Sequence, residues 1–180
     1  SAATGFLRLR ASSRSMSAHN ALAMADRLGI MRGGKVIQSG LPIDVYRRPV
    51  DSWTATFLGM ANLFKGKVLQ IGAGEFVAST PLGEVRGALA TPSATPAVGA
   101  EIVVCIRPEC LHLDTMPPEE NAFAGKVVDS LFQGDHALHE FATPSGQALK
   151  VAEFNPRQRV GSKAKLYAWA EPEDVVGLSS

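Results

Sequence analysis

The chain has 180 residues, 46% hydrophobic and 19% charged, the composition of a folded globular protein rather than a disordered one. Its formal net charge of +1 gives no electrostatic footprint for nucleic acid or an acidic membrane surface. No apolar run reaches the roughly 18–20 residues that span a bilayer, so direct membrane insertion is not expected.

In chain order, residues 1–20 carry Arg8, Arg10 and Arg14 without a continuous apolar core, which makes a poor secretory signal. They are expected to be a disordered or non-native leader. Residues 17–27 are helix formers with apolar positions at Ala21, Met24 and Ala25. Leu28–Met31 and Lys35–Gln38 read as two strands of a β-hairpin, with Gly33 and Gly34 supplying positive φ. A short helix follows, with Ser39 as its expected cap, Pro42 in its first turn and Pro49 as its stop. A second short helix is expected after Asp51 or Ser52, ending at Gly59.

After Asn62 the helical spacing disappears. Short β-rich runs alternate with Gly and Pro turns, as in a sandwich or barrel. Leu89–Ala100 and Leu113–Ala122 read as connectors. The region also repeats itself. Gly-Lys-Val at Gly66 and again at Gly125 is followed by Glu-Phe, a Thr-Pro-x-Gly turn, a Val-Gly turn, an apolar strand and Pro-Glu. Two related halves of a paired β-barrel account for this, since each half alone would leave edges unpaired. Chance similarity among turn-rich strands is the competing account.

Chemistry is sparse. Gly-Lys-Val occurs at Gly34, Gly66 and Gly125, but a phosphate loop needs G-x-x-x-x-G-K-[S/T], and Val stands where the Mg²⁺-binding hydroxyl belongs. Cys105 and Cys110 do not make a disulfide framework and read as reduced thiols. A zinc site would need two further ligands, and His112, His136 and His139 have no recognised spacing with the cysteines. His136 and His139, three apart on a strand, would point to opposite faces. No serine lies in a G-x-S-x-G elbow. Trp53, Trp169, Tyr46 and Tyr167 are scattered as in a core, not interleaved with basic residues as a single-strand nucleic-acid binder requires. No catalytic, cofactor-binding or metal-binding residue is therefore assigned, and the chain reads as a binding, regulatory or structural module. The turns Ser79–Glu84 and Ala142–Gln147 remain as candidate oxyanion-holding turns of a small-ligand module.

The segment Ala21–Phe64 resembles the end of the nucleotide-binding domain of ATP-binding cassette (ABC) import ATPases. It has Met-Ala-Asp-Arg, the Gly-Gly hairpin, Gln-x-Gly-x-Pro, Tyr-x-x-Pro and Phe-x-Gly-x-x-Asn in order. Gly66 to Leu178 resembles the transport-associated OB (TOBE) domain of that family, with Ile-Arg-Pro-Glu at 106–109. The Asn62 junction and the 131–141 strand pair are most similar to the polyamine or ferric-iron branch. The resemblance implies a mainly β fold: a tandem OB-like barrel domain preceded by a small α/β remnant of helix, hairpin and two short helices. It implies a leader over 1–20, a nucleotide-binding-domain remnant over 21–62 and the TOBE domain over 63–180. The family's phosphate loop, Gln loop and signature motif are not found in this sequence. Its switch histidine falls on Met16, and His19 lands on a variable position. Without the phosphate cradle, phosphoryl transfer has no machinery. The expectation is therefore a cytoplasmic regulatory and dimerisation region at the inner face of the membrane. It would be a homodimer working with membrane subunits, with no cofactor of its own, whereas a full-length relative uses ATP and Mg²⁺.

Overall fold

The computed structural model describes the backbone of Phe6–Leu9 and residues 26–156 and 166–178. It divides into two compact units, residues 1–60 and 61–180.

The first unit is built on a three-stranded sheet, β1 (Phe6–Leu9), β2 (Arg27–Arg32) and β3 (Lys35–Gly40), in the order β1-β2-β3. The hairpin is the expected one. Gly33 and Gly34 have φ of +57° and +79°, the left-handed pair that a two-residue turn between twisted strands requires. β1 lies within the stretch read as a leader and runs parallel to β2, Phe6 opposite Arg27. The helix expected over 17–27 lies outside the described residues as far as Ala25, and Arg27 opens a strand. Two short helices follow, α1 (Pro42–Arg47) and α2 (Ser52–Leu58). The cap of α1 is Leu41 and not Ser39, which belongs to β3. The residue before a proline is held extended, and Pro42 at the first helical position has no N–H to satisfy. α2 has its expected cap, with Thr54 N–H donating to Asp51 Oδ1 at 2.7 Å. Leu28, Ile30, Val45 and Leu58 form this unit's core.

Among its described residues the second unit has ten strands: β4 (Asn62–Gly72), β5 (Glu75–Thr80), β6 (Gly83–Leu89), β7 (Glu101–Ile106), β8 (His112–Asp114), β9 (Ala122–Phe132), β10 (His136–Ala142), β11 (Ala148–Phe154), β12 (Leu166–Trp169) and β13 (Val175–Leu178). Eight of them match the β-rich runs of the sequence. β8 and β13 do not, because three or four residues are too few to show a period. Leu113, read as the start of a connector, lies in β8.

The two halves of the repeat are both present and exchange their last strands. β4–β7 form a closed barrel only because β13, from the end of the second half, inserts between β6 (parallel) and β7 (antiparallel). Reciprocally, β8 from the first half adds to the second sheet, whose order is β11-β10-β9-β12-β8. Each exchanged strand follows a single 3-10 turn begun by a proline, Pro108–Cys110 or Pro172–Asp174, and each turn packs against the third strand of the opposite half. At Gly87 in β6 the Val175 carbonyl and the Phe76 ring leave no room for a Cβ, so close insertion of β13 requires glycine there. One continuous core runs through both halves, from Phe64 and Phe76 to Phe141 and Leu149.

A matched pair of buried asparagines locks the exchange. Asn62 Nδ2 donates to Lys150 O at 2.8 Å, and Lys150 N–H donates to Asn62 Oδ1 at 2.7 Å. Asn121 Nδ2 donates to Arg86 O at 2.9 Å, and Arg86 N–H donates to Asn121 Oδ1 at 2.9 Å. Each carboxamide thus satisfies both polar groups of one residue on the third strand of the other half. Removing it strands a buried N–H and a buried C=O, each costing about 1–3 kcal/mol. Asn62→Ala and Asn121→Ala are therefore each expected to lower unfolding free energy by about 2–4 kcal/mol, measured by urea denaturation. A loss below about 0.5 kcal/mol in both would show that water replaces the clamps at no cost.

Candidate functional site

In the first unit the motif residues serve the local fold. Gln38 Nε2 donates to Arg48 O at 2.7 Å and Gln38 Oε1 accepts from Val50 N–H at 2.9 Å, stapling the loop after α1 to β3. The Arg32 guanidinium lies 5.1 Å from the Trp53 ring centre, and Trp53 stacks on Phe57 at 5.0 Å. This cluster ties the hairpin to α2 through cation–π and ring contacts.

In the second unit neither cysteine is bridged or clustered with metal-ligating groups, and no group of three or more His, Cys, Asp or Glu that could hold a metal occurs among the described residues. Burial pushes the Cys105 thiol up to about 11, against an opposing pull from Arg107, so it is a neutral, inert thiol at pH 7. Cys110 is only half-buried. A thiol-alkylating reagent at pH 8 is expected to modify Cys110 at least tenfold faster than Cys105, read by mass spectrometry of peptides; equal rates would contradict the burial.

The two turns considered for oxyanions use their threonine hydroxyls internally. Thr80 Oγ1 donates to Gly83 O at 2.8 Å and accepts from Leu82 N–H at 3.1 Å. Thr143 Oγ1 donates to Gln147 O at 2.7 Å and lies 2.9 Å from Ser145 Oγ. These groups close hairpins.

The polar cluster that the sequence pattern does not reveal is Ser130–His139–Glu153. His136 and His139 do face opposite ways on β10, and His139 turns inward and is buried. Its Nε2 lies 3.0 Å from Glu153 Oε2 and its Nδ1 lies 2.8 Å from Ser130 Oγ. A carboxylate only accepts, so Nε2 carries a proton; in the neutral ring Nδ1 then accepts from the Ser130 hydroxyl. Cross-strand register brings the three together: Ser130 is opposite His139, and His139 is opposite Val151, two residues from Glu153. The same register places Ile71, Phe76 and Leu89 at the corresponding positions of the first barrel. Only an alignment of the halves from strand pairing exposes this, because the Glu-Phe match in sequence is two residues out of step.

An apolar trio serves the same place in the other half, so the polar trio is not a requirement of the barrel. His139→Phe is accordingly expected to change stability by less than about 1.5 kcal/mol, whereas His139→Ala costs about 2–4 kcal/mol. Paired denaturant melts check this, and a phenylalanine variant as damaged as the alanine one would refute the equivalence.

No helix among the described residues is long and apolar enough to cross a membrane. Residues 104–178 match the TOBE domain family. The spermidine/putrescine import ATP-binding protein PotA of Nostoc sp. is 29% identical over 163 residues, 88% of this chain and 42% of that protein. PotA of Methylococcus capsulatus is 34% identical over 138 residues, 74% of this chain and 34% of that protein. PhnT of Salmonella typhimurium, named for 2-aminoethylphosphonate import, is 31% identical over 87% of this chain and 42% of its own length. The chain thus spans about two fifths of the length of the first of these relatives. Among solved structures, the cytoplasmic molybdate-binding protein ModG superimposes with a TM-score of 0.56 over 66% of this chain and 96% of its own, at 18% identity, which is a likeness of fold. The chain belongs with the TOBE-containing ATP-binding subunits of ABC importers and corresponds to their C-terminal part.

Proposed function

We propose that this chain is the C-terminal regulatory and dimerisation region of an ABC import ATP-binding subunit, and that residues 1–180 do not by themselves turn over ATP. The observation that carries the reading is the match of 88% of the chain to an import ATP-binding protein, while the second unit is a closed barrel and an open five-stranded sheet that exchange strands, without a phosphate loop. On this reading the chain acts in the cytoplasm at the inner face of the membrane, beside a second copy and the transporter's membrane subunits. Its cargo is not set here: relatives named for polyamine import and for phosphonate import match this region at comparable identity. A region shared so evenly fits control or assembly rather than cargo selection.

An oxyanion-binding module is the second reading, supported by the fold it shares with ModG. The threonine hydroxyls of its two candidate turns are already bonded within the turns, which weighs against it.

Calorimetry with MgATP and a phosphate-release assay on the 180-residue chain are expected to show neither binding nor turnover, and sedimentation equilibrium is expected to show a dimer. Stoichiometric MgATP binding would overturn the first part, and a monomer at every concentration the second. A melting shift with molybdate or sulfate would favour the oxyanion module instead.

A further inference from the structure

The internal repeat supplies a control for what the fold needs. In the first half the paired residues beside the hairpin bulge, Val68 and Ala78, are ten residues apart in the chain; in the second half, Val127 and Phe141 are fourteen apart. The β9–β10 hairpin is therefore four residues longer than its counterpart. The lengthened part is apolar where water meets it: Val128 is 47% exposed, Leu131 58%, Phe132 67% and Phe154 61%. Register places Leu131, Leu138 and Ala152 in one cross-strand row of the outer face, with His136 and Phe154 in the next. The His136 ring lies 5.6 Å from that of Phe154. Phe132 occupies the opposite face of the tip.

Among the described residues the surrounding charge is mainly acidic. Asp129 flanks the row on β9, and Asp135 stands at the turn, 81% exposed and hydrogen-bonded to His136 at 2.8 Å. Of the described lysines of these strands, Lys150 is bonded to Glu140 at 2.9 Å, and Lys126 lies at the far end of β9 from the tip.

Two magnitudes decide the occupant. The apolar area that Leu131 and Phe154 expose on this face is on the order of 250 Å², about a third of the ~800 Å² per partner that a stable dimer buries. A two-fold contact through this face would also gather the acidic Asp129 and Asp135 of both copies into one interface. We infer that the extended β9–β10–β11 ribbon is a docking surface for a partner polypeptide segment, an amphipathic helix whose apolar stripe is bordered by Lys or Arg. The partner covers Leu131 and Phe154 with its stripe and meets the acidic rim with its basic flanks. The dimer proposed above uses other surfaces, so the two readings fail separately.

The test uses a helical peptide of about 18 residues with leucines at i, i+3, i+4 and i+7 spacing flanked by lysines, its glutamate-flanked counterpart, and fluorescence anisotropy at about 150 mM salt. The lysine peptide is expected to bind the whole chain at least tenfold more tightly than the glutamate peptide. Leu131→Ser with Phe154→Ser should weaken it at least tenfold, leaving the melting temperature and the dimer unchanged. Leu69→Ser, at the exposed first-hairpin position that matches Val128, should bind as wild type. Equal binding of both peptides, or an unaffected double variant, would overturn the docking surface. Loss of the dimer in that variant would overturn it too, assigning the patch to a second copy. Binding seen only after Arg157, Arg159, Lys163 and Lys165 are replaced by serine would likewise overturn it, assigning the patch to the chain's own segment.

Discussion

Every strand of a buried sheet has two edges of N–H and C=O groups, and each must find a partner. In this β domain the awkward places are Arg86 on β6 and Lys150 on β11, where a side chain rather than a neighbouring strand serves both backbone groups. Asparagine is well suited to this, because its planar carboxamide carries one acceptor and a donor at nearly peptide geometry and so stands in for one residue of a strand. Glutamine would need to order one more torsion, and aspartate would bring only acceptors and a charge. Because Asn62 reaches Lys150 and Asn121 reaches Arg86, each half completes the other. With the exchanged strands β8 and β13, this leaves neither half a finished fold alone.

Pseudo-symmetry also separates what the architecture demands from what it merely tolerates. The asparagines, the 3-10 turns begun by proline and the Thr-Pro-x-Gly turns occur in both halves and have the same structural work in each. The differences are confined to the second half. Ser130, His139 and Glu153 replace Ile71, Phe76 and Leu89, and the hairpin above them is longer. These two departures are adjacent: Ser130 is one residue from Leu131 and Glu153 one from Phe154. The first barrel is closed by β13, whereas β8 approaches β11 without forming a ladder with it. A sheet open at that seam can keep Glu153 partly in water while its histidine partner is buried, which the closed barrel could not do cheaply.

Much of this was legible in residue pattern. The Gly33–Gly34 hairpin, the Asp51 cap and eight of the ten strands follow from local rules of turn chemistry and alternation. What escaped was non-local. β13 is four residues long and recognisable only by the gap it fills. Asn62 and Asn121 share the heptapeptide pattern Asn-x-Phe-x-Gly-Lys-Val, but a repeat taken to start at Gly66 and Gly125 misses its most informative residue by four positions. The helix cap at Ser39 failed because the hairpin claimed that serine first, a strand outweighing a local preference. The polar trio was invisible because its members come from three strands and no spacing joins them. The family came from resemblance, not from chemistry: Gln38 and Trp53 mark it, yet their contacts are those of ordinary local packing.

That distinction bears on how a domain proposed to be regulatory is read. A catalytic site announces itself by convergent, chemically costly groups, while a coupling element is defined by where its fixed points lie. Here the side chain of Asn62, the second residue of the β domain, is bonded not to its own half but to Lys150 in β11. The same strand continues through Ala152 to Phe154 at the exposed tip, with Lys150 tied across to Glu140 on β10. The start of the domain and the apolar ribbon therefore share one short, hydrogen-bonded strand, in which the tip lies four residues beyond the clamp. Such continuity is a mechanical route, and a route carries a signal only where it has two arrangements to choose between. The open seam between β8 and β11 is where a second arrangement would break the fewest backbone bonds, since no ladder there has to be undone.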